Sequence, residues 1–534
     1  MKKEAFSRGG LPKIFMDRFG QHVTGFISGF DRLRFRATLR PLFQAGGMEI
    51  YLYSCKVLIK DFAKFAKGLT DQIRSVAYDH FEQLGVPIRY VADSTLSKEA
   101  LVQELALKEA ISTGPICLLA CVEPCLSFQL RGDRQAKQLR LVLEHSKCTH
   151  LYHYLAHPEF GQLHVRVQTW FPFSVDVCLN ARQWLARQME RAGIAYRQRD
   201  NCFVWIEDCA KAQQLLDQQL HSNWAGLLDG LLELAHPLHG QITGRMPGLH
   251  YYWSASQSEY ATDILFDHPK NLQPLYRQFL HHAVKTFQSP DVMRFLGNRH
   301  AETTGKIHPA FKAQVTTSLK ERPEGVRLRH SLNGNSIKLY DKEGSVLRPE
   351  TTINHPEQFQ VYRPKEGDEK GQKQWRKLRR GVADLYRRAQ VSHQANQRYL
   401  EALAGVAGSS PLRDQAAGVC HAVFYHRRRY RALNPLAEAD YQLLQAVSRG
   451  EFTLNGLRNA DLRHLLYKPT HAPQQRRGNS AAVTRQLALL RAHALMKKIP
   501  HTHRYQLSAK GRQIITALLA ACHADVEQLT KLAA

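Results

Sequence analysis

The chain has 534 residues, 43% of them hydrophobic and 23% charged, which supports several packed cores and excludes a disordered polymer. Lysine and arginine number 74 against 47 aspartates and glutamates, a net charge of +27, and an excess of this size draws polyanions such as DNA, RNA or an anionic surface. No run of about 18 apolar residues occurs, so no membrane-spanning helix is expected.

In chain order, the start "MKKEAFSRGG" is basic but no apolar segment follows it, so no secretory signal is read. Ten scattered cysteines then fit reduced thiols and a cytoplasmic location. "GFDRLRFRATLRPL" is a basic alternating strand, open to two readings: a sheet face near nucleic acid or a solvated edge. "MEIYLYSCKVLI", "GPICLLACVEPCLSFQL" and "GQLHVRVQTWFPFSVDVCL" are rich in β-branched and aromatic residues and read as strands. "NARQWLARQMERAG" is an amphipathic helix stopped by Gly193. "IAYRQRDNCFVWIED" returns to strand and "AKAQQLLDQQLHSNW" to helix. Residues 1–245 thus read as an α/β body.

Residues 246–363 read as a helical segment followed by a β-meander. "SQSEYATDILFDH" and "LQPLYRQFLHHAVKTF" are its helices. "GVRLRHSLNGNSIKLYDKEGSVLRPETTIN" is the meander, with Asn333-Gly334 as a hairpin turn and Lys342-Glu343-Gly344 as a second. Alternation puts Val326, Leu328, Ile337, Leu339, Leu347 and Ile353 on one face. Arg327, Arg329, Lys338, Tyr340, Arg348 and Glu350 share the other. Residues 364–435 hold a polar linker, "PKEGDEKGQKQWRKLRRG", then a helix, then a basic cluster of Arg427, Arg428 and Arg429. Aromatic residues among these cations suit nucleic acid, because rings and guanidinium planes stack on bases.

Residues 436–534 carry three helical patterns, a basic hairpin and a closing helix, the order of a winged helix-turn-helix. Asn479 and Ser480 are the expected N-caps of the third helix. Leu487, Leu490 and Leu495 are expected to be buried. Thr484, Arg485, Gln486 and Arg491 then face outward to read a major groove, and His501, His503 and Arg504 set the wing near phosphates. A winged fold used for protein contact is the alternative. The fold class is therefore mixed α/β and multidomain: an α/β body, a central antiparallel ribbon and a C-terminal winged helix.

The phrase "LALLRAHALMKKIPHTHRYQLSAKGRQI" resembles the winged domains of the MarR and ArsR regulators. "NSIKLYDKEGSVLRPETTIN" resembles a segment of the rolling-circle replication initiators of plasmids and phages. That second resemblance implies a divalent metal, Mg2+ or Mn2+, held by Asp341 and Glu350. It also implies phosphate held by Arg348, and a nucleophile that is either Tyr340 or Tyr386. Pro349 departs from the pattern and demands an edge or a bulge. Glu259 and Asp263, four apart on an expected helix, are a second metal candidate, with an exposed polar stripe as the alternative. Cys117, Cys121 and Cys125 with Cys148, His150 and His153 have the residue types of a zinc site; buried small hydrophobes are the plainer reading. No phosphate loop, nucleophile elbow, H-E-x-x-H or dinucleotide fingerprint occurs. The sequence thus points to a nucleic-acid-binding protein of a mobile element, acting in replication initiation or DNA nicking. A winged-helix transcription regulator and an RNA-binding protein are the alternatives; the partner is DNA first, RNA second, with homodimerisation open.

Overall fold

The computed structural model describes residues 10–93, 96–133, 138–199, 201–297, 315–322, 325–365, 368, 371–406, 416–452, 456–500 and 502–525. The chain forms two compact units. One is built from Ile27–Ala261 and Thr352–Gln390, the other from the described residues of Phe6–Phe26, Thr262–Thr351 and Val391–Ala534.

The first unit is a mixed sheet with helices. Its strands are β1 (Val23–Thr38), β2 (Ile88–Tyr90), β3 (Gly114–Asp133), β4 (Gln138–His157), β5 (Gly161–Gln168) and β6 (Val175–Asn180), in the order β1-β6-β5-β4-β3-β2. Only β2 and β3 are parallel; the other pairs run antiparallel. A separate hairpin pairs β7 (Tyr196–Arg199) with β8 (Cys202–Ile206). The first half of β9 (Tyr252–Phe266) flanks β1, where the Ser254 and Ser256 hydroxyls donate to the carbonyls of Arg36 and Arg34.

Alternation in β1 decides the faces. Leu33, Phe35 and Ala37 are fully buried while Arg32, Arg34 and Arg36 are exposed. Each large apolar side chain so buried is worth about 1.5–3 kcal/mol. Helices Phe62–Gln83 and Trp224–Ala235 cover that apolar face, with Phe81 against His153 and Trp224 against Phe35. Helix Ala181–Arg191 is capped by the Asn180 side chain and released at Gly193, whose φ of +67° suits glycine. Helix Lys98–Lys108 packs on the opposite face, burying Val102 and Leu105 against Cys117, Leu119, Cys121, Tyr152 and Tyr154.

In the second unit, β10 (Val315–Arg322), β11 (Gly325–Leu332), β12 (Asn335–Lys342) and β13 (Val346–Ile353) form the meander. Both expected turns are present: Asn333 and Gly334 have φ of 49° and 78°, Glu343 and Gly344 54° and 71°. Nearly every residue of β12 and β13 is buried. Tyr399, from helix Leu385–Leu403, meets His330, and Asn396 meets Thr351 and Thr262. The early segment belongs here too: Phe15 stacks on Phe279, and the Arg18 guanidinium donates to the Ala404 carbonyl. The C-terminal part follows the order helix Glu438–Ser448, helix Asn459–Leu466, helix Pro473–Ala492, a Met496–Lys498/Tyr505–Leu507 hairpin, then helix Ala509–His523. A single apolar core holds it, including Leu443, Leu457, Leu487, Leu490, Leu495 and Ile515.

Four expectations are corrected. "MEIYLYSC" is helix Ala45–Ser54, because Met48, Tyr51 and Leu52 are buried at helical spacing while Ile50 and Tyr53 are exposed. Residues 252–266 are a strand, not a helix, so Glu259 and Asp263 lie about 13 Å apart along β9 rather than on adjacent turns. The polar side of the meander is not solvated: Arg348 is fully buried in a bidentate pair with Asp263 (2.5 and 2.9 Å), and Lys338 meets Glu350 at 2.6 Å. Within the segment read as linker, Gln374–Lys377 is a strand paired with Gln360–Arg363.

Truncating one partner of a buried ion pair strands the other charge. Asp263→Ala is therefore expected to cost about 3–5 kcal/mol in urea unfolding, and the double variant Asp263→Leu/Arg348→Met to recover most of it. A midpoint unchanged in Asp263→Ala would contradict this account of the pair.

Candidate functional site

The register of the first unit assembles a polar row across four strands. Tyr152 on β4 faces Arg166 on β5, Arg166 faces Asp176 on β6, and Asp176 faces Arg36 on β1. The next row is Tyr154, His164, Cys178 and Arg34. Opposed residues in antiparallel strands share a face, so both rows lie on the side away from the main helices. With the start of helix Lys98–Lys108 they line a groove of about 400 Å3, within the range of small-ligand sites. Its lining includes four basic side chains, Arg34, Arg36, Lys98 and Arg166, against the acidic Glu99 and Asp176.

The charges are ordered. Asp176 receives Arg36 at 2.6 Å and Arg166 at 2.8 Å. Glu123 receives Lys98 at 2.8 Å, Arg166 at 3.2 Å and the Tyr152 hydroxyl at 2.9 Å. Burial pushes the Glu123 carboxyl up, but hydrogen bonds from Lys98 and Tyr152 and the Arg166 charge outweigh it and hold it at about 2. Burial lowers His164 to about 4, so the imidazole is neutral near pH 7. Arg34 makes no ion pair among the described residues. Arg34 is exposed, as is Arg36, but Arg36 is held by Asp176.

A second cationic surface lies on the C-terminal part of the other unit. Helix Pro473–Ala492 begins two turns before Asn479; its N-cap is Ala472, with proline at the first position. The added turns expose Gln474, Gln475, Arg476 and Arg477. Thr484 and Arg485 are exposed, Gln486 and Arg491 half-buried. The Thr484 hydroxyl is occupied, donating to the Ser480 carbonyl and accepting from Asn459. In the following hairpin Lys497, Lys498 and His503 are exposed and Arg504 half-buried; His501 lies outside the described residues. A separate hairpin pairs Val423–Tyr425 with Arg428–Tyr430. His426 and Arg427 turn it with φ of 46° and 61°, an arrangement that costs non-glycine residues about 1–2 kcal/mol each. It presents Phe424, 78% exposed, beside exposed Arg427, Arg428 and Arg429.

The initiator-like residues are placed differently from expectation. Arg348 and Glu350 are committed to Asp263 and Lys338, so a metal at Asp263 would compete with a guanidinium. Tyr340 is half-buried under the Lys342 ammonium, 5.4 Å from its ring. Asp341 is raised to about 6 by burial, against the Gly344 backbone N–H that lowers it. Glu259 lies 4.0 Å from Arg32. Tyr386 belongs to the other unit, stacked on His221 and hydrogen-bonded by Gln390. Arg327 and Arg329 are half-buried on β11, Arg329 facing Lys338. The reading missed Lys98 and Arg166 in the groove; only the strand register reveals them. It also missed Arg476 and Arg477, which Pro473 as a helix start could have signalled.

No protein-family model, curated protein or solved structure matches the chain.

Glu123 tests the groove's electrostatics. Its folded value lies below the ~4.3 of an unfolded glutamate, so its stabilisation is present above that pH and fades as pH falls toward 2. Glu123→Gln is expected to lower the unfolding midpoint at pH 7, with the gap to wild type narrowing from about pH 4.3 downward. A gap constant from pH 7 to 3 would contradict the ion-pair assignment.

Proposed function

We propose that this chain is a nucleic-acid-binding protein whose C-terminal part takes duplex DNA as a winged helix. The observation that carries the reading is helix Pro473–Ala492. It buries Val483, Leu487 and Leu490 in its own core and turns Gln474, Gln475, Arg476, Arg477 and Arg485 to solvent. Arginine and glutamine are the side chains that read guanine and adenine edges bidentately, and a helix of this width enters the major groove. The hairpin lysines 497 and 498 follow at the position of a wing, where phosphate contacts position a domain without specifying sequence. The Phe424 hairpin adds a ring among guanidinium groups, the chemistry of stacking on an unpaired base. The groove around Arg34 offers the first unit a place for a phosphate.

A role in a mobile element, at replication initiation, fits a chain of this size and charge. For DNA nicking, the Arg348–Asp263 and Lys338–Glu350 pairs weigh against free roles for Arg348 and Glu350. Specific binding as a regulator and binding to a structured RNA become outcomes of one experiment. Duplex DNA, single-stranded DNA and structured RNA compete for the full chain in a gel-shift assay. Duplex is expected to win, and affinity to fall steeply with salt as counterions are released. The triple variant Arg476→Ala/Arg477→Ala/Arg485→Ala is expected to weaken duplex binding roughly 10-fold or more and to flatten the salt slope. Unchanged duplex affinity in that variant, or preference for RNA, would overturn the proposal.

A further inference from the structure

The polar face that forms the groove continues along the β3–β4 hairpin past the end of its apolar cover. Cys117, Leu119, Cys121, Tyr152 and Tyr154 lie in the core beneath helix Lys98–Lys108. Beyond Cys121 and its opposite, His150, the pairs are Glu123 with Cys148 and Cys125 with Ser146. There the sulfurs of Cys125 and Cys148, both free thiols, come to 2.7 Å, and the His150 Nε2 lies 4.0 Å from the Cys148 sulfur. One ligand atom from each residue falls within 4.8 Å of the other two. His150 is buried. Its Nδ1 lies 3.2 Å from the Cys148 carbonyl. A carbonyl only accepts, so Nδ1 carries the proton and Nε2 keeps its lone pair toward the thiols, as metal-binding histidines are oriented.

We infer that Cys125, Cys148 and His150 form a zinc site with a fourth position left to solvent or an added ligand. Two thiolates and an imidazole are a zinc ligand set, with bonds of about 2.3 Å to sulfur and 2.0 Å to nitrogen. A tetrahedral ion would separate the two sulfurs to about 3.8 Å and each sulfur from the nitrogen to about 3.5 Å. Side-chain rotation covers the difference without moving the strands. On binding, the two thiols release their protons to solvent and no electrons are transferred. The other cysteines of β3 cannot share the ion: consecutive members of the set Cys117, Cys121 and Cys125 are about 13 Å apart along the strand. The site would clip the hairpin together where apolar packing stops.

The test uses the full chain purified with reductant. Its metal content is measured by elemental analysis, and Co2+ is added to the chelator-stripped protein. About one equivalent of zinc per chain is expected, with an intense thiolate-to-cobalt absorption. Both are expected to fall at least ten-fold in Cys125→Ser and in Cys148→Ser. Cys117→Ser, in the core beneath the helix, is expected to retain them. If a serine variant fails to fold, the cobalt spectrum of the wild-type chain decides. Zinc no higher than in Cys125→Ser, an absent thiolate band, or recovery of a Cys125–Cys148 disulfide in place of the ion would each overturn the assignment.

Discussion

In an antiparallel sheet, residues that oppose each other must show their side chains on the same side. That constraint, applied across β1, β6, β5, β4 and β3, organises the first unit. It puts Phe35, Val177, Val165 and Leu151 toward the helices. By the same stroke it puts Arg36, Asp176, Arg166 and Tyr152 together on the opposite side. A slip of one residue in any pair would exchange the two sets and place arginines in the core. The hydrophobic face thus fixes the polar one, and the groove and the sulfur cluster are consequences of a register chosen by packing.

The second unit solves a different problem. Its meander carries many charges, yet β12 and β13 are buried along nearly their whole length. Lone charges deep there would be costly, and the most buried ones are matched: Arg348 by Asp263, Lys338 by Glu350. Such pairs contribute more to the uniqueness of the packing than to its depth, because desolvation offsets much of their attraction. They also give Arg348 and Glu350 a structural role in holding the meander together.

Much of the architecture could be read from the chain. The meander turns, the helix stopped at Gly193, and the helix-helix-helix-hairpin-helix order at the C-terminus all follow from local signals: glycine at positive φ and apolar periodicity. Local signals failed where two periods fit one stretch. "MEIYLYSC" has strand-type residues but a helical burial pattern, and the spacing of Glu259 and Asp263 suits one face of either element. The groove was beyond reach, since Lys98, Arg166 and Arg34 come from three distant segments and meet only through strand order. The sequence offers Cys117, Cys121, Cys125, Cys148, His150 and His153 together, and only the pairing of β3 with β4 shows that Cys125, Cys148 and His150 are the ones whose ligand atoms meet. The compact units are themselves discontinuous, which composition along a line does not reveal.

That discontinuity bears on how the molecule is made. Phe15 and Arg18 find their places against Phe279 and Ala404, yet the ribosome delivers the whole of Ile27–Ala261 before the first of those sites exists. That early segment therefore lacks these partners until the later stretches emerge. Nascent-chain order and final order are opposed here: Phe15 and Phe19 of that segment both pack on Phe279, which is synthesised about 260 residues later.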